Sequence, residues 1–201
     1  RMEDVTVSMG GHARDLTDPE KRDVSVVLEG LATGVGAPDP RVAAALGNRI
    51  DFFADVGLPA EGPVSIRQAQ LGANGVSLFA AGLLRDLAFE GRAAARLADL
   101  AVLRGLTGRD LSGALRLNLV GSASPLTRGF DMTFDGNGEA LRLGIPRIDG
   151  LLAGTTQLGG RAVRDETGFR TENLTITNPQ VSLTSNGIYS TARTDIGFEA
   201  R

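Results

Sequence analysis

Few residues in this chain have the types and spacing that chemistry needs. His12 is the only histidine, between Gly11 and Ala13, and the 201 residues include no cysteine. A zinc site needs several His, Cys or acidic ligands, and a thiol nucleophile needs a cysteine beside a base. Thiol nucleophiles and histidine zinc sites are therefore excluded, and His12 reads as a solvated residue in a polar loop. Gly34-Val35-Gly36 runs into Ala37-Pro38-Asp39 rather than a helix-opening Gly or a Gly-Lys-Ser, so it reads as a turn and not a phosphate cradle. Ser8, Ser122 and Ser124 lack the context of a nucleophile elbow. Asp131, Asp135 and Asp149 could come close, and paired carboxylates can do acid–base work. Asp131 falls on the polar row of an alternating strand, however, where a solvated carboxylate is the simpler account. Gly136-Asn137-Gly138 has none of the repeated acidic spacing of calcium-binding β-rolls. The expectation is no catalytic residue, no metal ligand and no cofactor: the chain does not read as an enzyme.

The elements that would position such residues are strands. Between residues 113 and 145, Leu115, Leu117 and Leu119 alternate with Arg116 and Asn118. Phe130, Met132 and Phe134 then alternate with Asp131 and Thr133, and Leu141, Leu143 and Ile145 with Arg142 and Gly144. Successive strand side chains point to opposite faces, so each segment has one apolar face. Gly121–Pro125 and Gly136–Gly138 are turn-forming types, which predicts three strands in an antiparallel meander. Further strands are predicted over 5–9, 24–33, 48–56, 64–71, 76–81 and 83–97, with separators that include Gly72–Gly75 and Gly82. One short helix is predicted at about 40–46. Asp39 caps it, Pro40 suits its first position and Gly47 its exit. Residues 92–105 are Ala-rich and leave helix and strand both open.

Composition narrows the class. Net charge is −3, from 21 Lys and Arg against 24 Asp and Glu, with the signs interspersed. Nucleic-acid binding needs a basic stripe, and none is present. Hydrophobic residues make up 42% and charged residues 22%, so the chain is not disordered by composition. It has no apolar run long enough for a membrane-spanning helix. Glycine, at 27 residues, is about twice its usual share, which fits many turns. Aromatics are 4% with no Trp, so Leu, Val, Ile and Ala must do the packing.

Collinear matches suggest a diverged repeat, with copies at about 24–111 and 112–201. Leu28-Glu29-Gly30 matches Leu119-Val120-Gly121, and Arg49-Ile50-Asp51 matches Arg147-Ile148-Asp149. Val76-Ser77-Leu78 matches Val181-Ser182-Leu183, and Phe89-Glu90-Gly91-Arg92 matches Phe198-Glu199-Ala200-Arg201. The two copies would extend one apolar face rather than build two cores. The expectation is one continuous segment, 1–201, cut from a longer protein.

Several stretches carry a family resemblance. They are Leu119–Gly136 (LVGSASPLTRGFDMTFDG), Ile148–Gly154 (IDGLLAG), Leu158–Arg170, Leu174–Ile176, Val181–Gly187 and Asp195–Phe198. Together they resemble a middle segment of the AsmA-like family of bridge-like lipid transfer proteins, in its TamB branch, named for that subunit of the bacterial translocation and assembly module. The resemblance covers residues 24–201. It implies an elongated antiparallel sheet folded lengthwise into a trough, a β-taco, with an apolar inner and a polar outer face. It further implies a periplasmic segment of an inner-membrane-anchored protein that meets an Omp85-type outer-membrane partner through parts outside this segment. The implied role is outer-membrane biogenesis: moving phospholipid, and assembling some β-barrel proteins. The helix at 40–46 and the Ala-rich 92–103 depart from a plain trough.

The residues lead the same way. A sheet with one apolar face must cover it, and this chain offers little helix to do so. About 13 strands at ~4.8 Å would span roughly 60 Å, a length of conduit. The inner row expected to meet phospholipid acyl chains begins with Val26, Leu28, Ile50, Phe52, Val76 and Leu78. It continues through Leu115, Leu117, Leu119, Phe130, Met132 and Phe134, and ends with Leu141, Leu143, Val181 and Leu183. The alternatives are dry core packing at these positions, a chaperone or scaffold that offers a strand edge to an outer-membrane β-barrel or autotransporter client, and an adhesin solenoid.

Overall fold

The computed structural model describes residues 4–15, 17–18, 22–190 and 194–200. They form one antiparallel sheet of twelve strands in strict sequence order. The strands are β1 (Asp4–Arg14), β2 (Asp23–Thr33), β3 (Arg49–Pro59), β4 (Val64–Ala73), β5 (Val76–Arg85) and β6 (Ala88–Leu97). Then come β7 (Leu111–Ser124), β8 (Gly129–Leu143), β9 (Thr155–Asp165), β10 (Gly168–Thr177), β11 (Ser182–Tyr189) and β12 (Thr194–Ala200). The sheet neither closes on itself nor curls strongly. Its accessible surface is 13011 Å², against about 9,000 Å² for a compact monomer of this mass. The excess is the signature of a single layer with both faces accessible.

A sequential meander sends alternate connections to opposite rims. One rim carries β1–β2, β3–β4, β5–β6, β7–β8 and β9–β10, and among the described residues none of these connections holds a helix. The β5–β6 turn is Asp86-Leu87, both at positive φ, 50° and 61°, the arrangement that matches the twist of a two-residue hairpin. The other rim carries every helix of the described residues. Helix α1 (Pro40–Leu46) follows β2, a 3₁₀ turn (Leu100–Leu103) and helix α2 (Arg104–Thr107) follow β6, and helix α3 (Pro146–Asp149) follows β8. In α1 the Asp39 side chain accepts from the Arg41 N–H at 2.8 Å, Pro40 opens the helix and Gly47 closes it at φ 69°, as the residue types predicted.

Several expected boundaries are corrected. His12 is in β1, not a loop, because the strand runs on through Gly10 and Gly11. Gly82 lies inside β5, and the break comes later, at Asp86-Leu87. The ambiguous stretch divides: residues up to Leu97 belong to β6, and 100–107 are helical. Gly136–Gly138 is no turn, so the stretch 113–145 forms two long strands rather than three short ones. The reason is packing. A Cβ on Gly138 would sit 2.3 Å from the Leu141 side chain, and one on Gly136 would sit 2.2 Å from the Arg116 carbonyl. These glycines make room for neighbours. The irregularity in β8 sits at Ala140, at φ 50°, whose N–H donates to the Gly154 carbonyl at 2.8 Å. The repeat matches fall unevenly: two join strands six apart (β5 with β11, β6 with β12), one joins β2 with β7, and one sets the start of β3 against α3.

Candidate functional site

Register fixes which residues share a face. Leu28 pairs Ala54, Val26 pairs Val56, and Phe52 pairs both Gly30 and Leu71. Leu71 pairs Leu78, Leu78 pairs Ala95, Ala95 pairs Leu117, and Leu117 pairs Gly136. Parallel rows run Ile50–Ala73–Val76–Leu97–Leu115 and Ala93–Leu119–Phe134. Met132 lies opposite Gly121 and Phe130 opposite Ala123, and Leu183 joins through Ile176 and Leu158. The strand positions of the expected inner row thus lie on one face, and Leu141 and Leu143 reach the same side by packing with Leu97 and Leu115. Val181 is the exception. It precedes β11, in a turn where the Asn178 side-chain oxygen accepts from the N–H groups of Gln180 and Val181. Its match to Val76 by sequence hid this.

Among the described residues the apolar face is sealed at one end. Leu100, Leu111, Leu141 and Leu152 are buried together, with Leu97, Leu103, Leu115, Leu143 and Ile176 packed on them. Leu100 comes from the 3₁₀ turn and Leu152 from just after α3, so the helix-bearing rim folds over this margin. Side chains pin it there: Asn74 donates to the Ala44 carbonyl at 3.0 Å, Arg104 to the Leu111 carbonyl at 2.6 Å, and Asn178 to the Leu151 carbonyl at 2.5 Å. Farther from this rim, over β3–β7, the same face opens into a hollow of about 490 Å³. Phe52, Leu71, Leu78 and Leu119 line it, and Ala54, Ala69, Ala80, Ala93 and Ala95 leave it room. Leu78 is 45% exposed there, whereas Leu141 in the sealed margin is 5% exposed.

Next to the hollow, Gly82, Gly91 and Gly121 stand in register on adjacent strands. Cβ atoms there would lie 2.2 Å from the Glu90 carbonyl oxygen, 2.3 Å from that of Ala81 and 2.0 Å from that of Asp131. Only glycine permits so close an approach.

The opposite face is less uniformly polar than the family resemblance implies. Phe53 and Phe79 lie on it in the first half, and Val120 in the second. Its second half carries an ion network. Arg161 donates to Asp131 at 2.6 Å and to Glu172 at 2.9 Å, and Arg170 bridges Asp165 at 2.7 Å and Glu172 at 3.4 Å. The hydrogen bond from Arg161 holds the Asp131 carboxyl below its ordinary range. Asp165 is lowered to about 2, chiefly by the Thr167 hydroxyl, then by the Thr167 N–H and Arg170. In the first half, Arg67 bonds Asp55 and Ser25 in the same manner.

The three carboxylates that might have cooperated do not share a site. Asp131 is committed to Arg161, Asp135 accepts from Asn118 at 2.9 Å, and Asp149 accepts from the Leu143 N–H at 2.7 Å. Among the described residues no three His, Cys, Asp or Glu gather as a metal would require, and no helix is long and apolar enough to cross a membrane. Sequence reasoning missed the alanines of the hollow, since Ala80, Ala93 and Ala95 carry little hydrophobic signal. Their alternation with Phe79, Arg92, Ala94 and Arg96 was the available clue. No family model, curated protein or solved structure matches the chain.

Proposed function

We propose that this chain is a non-catalytic, lipid-carrying segment whose apolar face receives phospholipid acyl chains. The observation that supports this reading is the open hollow over β3–β7, whose surface is almost wholly hydrocarbon and over which, among the described residues, no second layer lies. Apolar area left in water costs roughly 25 cal/mol per Å², and a patch of this extent calls for an occupant. Acyl chains suit it because the hollow offers almost no polar group to orient a ligand and so selects for length and apolarity alone. The finer architecture belongs to the same proposal: the sheet folds lengthwise into a trough, with the line Gly82–Gly91–Gly121 as a place where it can crease. So do the wider setting in the periplasm and delivery toward the outer membrane, which rest on the family resemblance.

The test is direct. Purified protein is extracted with organic solvent, and the extract is analysed for phospholipid by mass spectrometry. Phospholipid is expected from the wild type and lost from Leu117→Arg, which places a cation in the path of the chains at a cost of roughly 2.5–3.5 kcal/mol by insertion scales. Arg116→Leu, on the other face, is expected to retain lipid. A folded wild type free of lipid and unable to take up a fluorescent fatty-acid probe would overturn the reading. If Leu117→Arg unfolds the protein, this row is dry core rather than groove.

A further inference from the structure

One charged side chain interrupts the apolar face. At the rim away from the helices, a cross-strand row runs Phe89–Ala123–Phe130–Arg164–Phe169–Tyr189, through β6 to β11. Among the described strand residues, every other Arg, His, Asp and Glu falls on the opposite face, by register or, for Arg67, by its bond to Asp55. Arg164 is exposed and has no carboxylate partner among the described residues. Asp165 beside it is taken by Thr167 and Arg170, and Asp131 on β8 by Arg161. Phe130 and Phe169, its neighbours in the row, meet edge to face with ring centroids 6.2 Å apart.

The position of this cation matches the polarity of an amphiphile. At the helix-bearing margin Leu100 and Leu152 seal the face, so a polar head has no place there. Arg164 marks the opposite end. Its stem can lie along the apolar row while the guanidinium stays at the water boundary. From Arg164 to Leu119 in the hollow is roughly 16 Å, four residues along the strands and two strands across. Met132 and Phe134 lie on that path, and an extended acyl chain spans it. The guanidinium fork meets phosphate oxygens two at a time, and its charge does not depend on pH in the physiological range.

We infer that Arg164 holds the head of a phosphate-bearing amphiphile at this rim, with the acyl chain running over Met132 and Phe134 into the hollow. The inference rests on the acyl-chain proposal and adds to it a head-group contact and a direction. Free inorganic phosphate shares the chemistry of the head but has no tail to use the face.

Fluorescence titration of the 201-residue protein with a pyrene-labelled alkyl phosphate, and with the alcohol of the same chain, tests this. Wild type is expected to bind the alkyl phosphate about tenfold more tightly, the worth of a charge-assisted pair. Arg164→Gln is expected to bind both probes only as well as wild type binds the alcohol, with its circular dichroism unchanged. Arg116→Gln, which removes the same charge from the other face, is expected to keep the preference. Inorganic phosphate is expected not to displace the alkyl phosphate. Equal affinity of the wild type for the two probes overturns the inference and leaves the acyl-chain proposal standing. So does a preference that survives Arg164→Gln, or one that Arg116→Gln abolishes as well. Alcohol binding that falls as far as phosphate binding in Arg164→Gln would make the residue structural, against the inference. Displacement by inorganic phosphate at equal concentration would assign the arginine to a free anion instead. If neither probe binds the folded wild type, the acyl-chain proposal fails and the head-group contact falls with it.

Discussion

Two regions of one face, built from the same alternating pattern, end in different physical states. At the helix-bearing rim, Leu100 and Leu152 come down on Leu111 and Leu141 and exclude water. Over β3–β7 the face has Leu and Phe beside alanine, and among the described residues no second layer lies across it. Alternation puts apolar residues on a face; it does not seal that face. Sealing takes side chains long enough to interdigitate and a second element to supply the other half of the packing. Only 100–107 and the turn after α3 supply it here.

The largest expected contrast is in stability. Leu141→Ala removes a fully packed side chain and is expected to cost about 2–5 kcal/mol, whereas Leu78→Ala, at a half-open position, should cost under about 1 kcal/mol. Urea denaturation of the two variants measures this directly. Equal losses would mean that the β3–β7 face is covered in solution, and the contrast between the regions would fail.

Filling the hollow should produce the reverse pattern. Ala93→Phe adds bulk where there is empty space, so unfolding should change little. Affinity for a fluorescent fatty-acid probe should fall about tenfold, the equivalent of losing roughly two buried methylenes at ~0.8 kcal/mol each. An unchanged probe affinity in the folded variant would place the binding surface elsewhere.

The ion network on the other face should matter less than either. Its members are half exposed, with the Arg161 and Asp131 side chains at 41% and 43%, and such pairs are screened by water and salt. Arg161→Ala should lower the urea midpoint by much less than Leu141→Ala, and the difference should shrink as salt is raised. A midpoint shift that is indifferent to salt would point to lost packing of the arginine stem instead.

Acid should reveal the smallest effect. The Asp165 carboxyl is lowered in the folded protein from 3.8 to about 2. A depressed carboxyl stabilises the fold above its ordinary value, and that stability is lost as pH falls through the folded value. Wild type and Asp165→Asn should therefore differ most above pH 3.8 and converge as pH falls toward 2. Curves that stay parallel through that interval would show that the Thr167 and Arg170 contacts do not govern this carboxyl.

The sequence by itself determined the all-β class, the antiparallel sense of the sheet, the alternating faces of its strands and the helix at 40–46. These depend on local causes: period-two alternation, turn chemistry and the Asp39, Pro40 and Gly47 signals. Tertiary structure decided the rest. Gly136 and Gly138 read as a turn because glycine is ambiguous in isolation, and only the Leu141 and Leu117 side chains packed on them show that they serve as space. The turn at Asp86-Leu87 escaped notice because leucine rarely takes positive φ, and the pairing of β5 with β6 imposes it. Val181 carried the same local signal as Val76, yet the Asn178 turn keeps it off the strand. Which part of the apolar face is sealed could not be read along the chain, because the residues that seal it arrive from connections after β6 and β8. Alternation is a property of one strand, and burial is a property of whatever lies across from it.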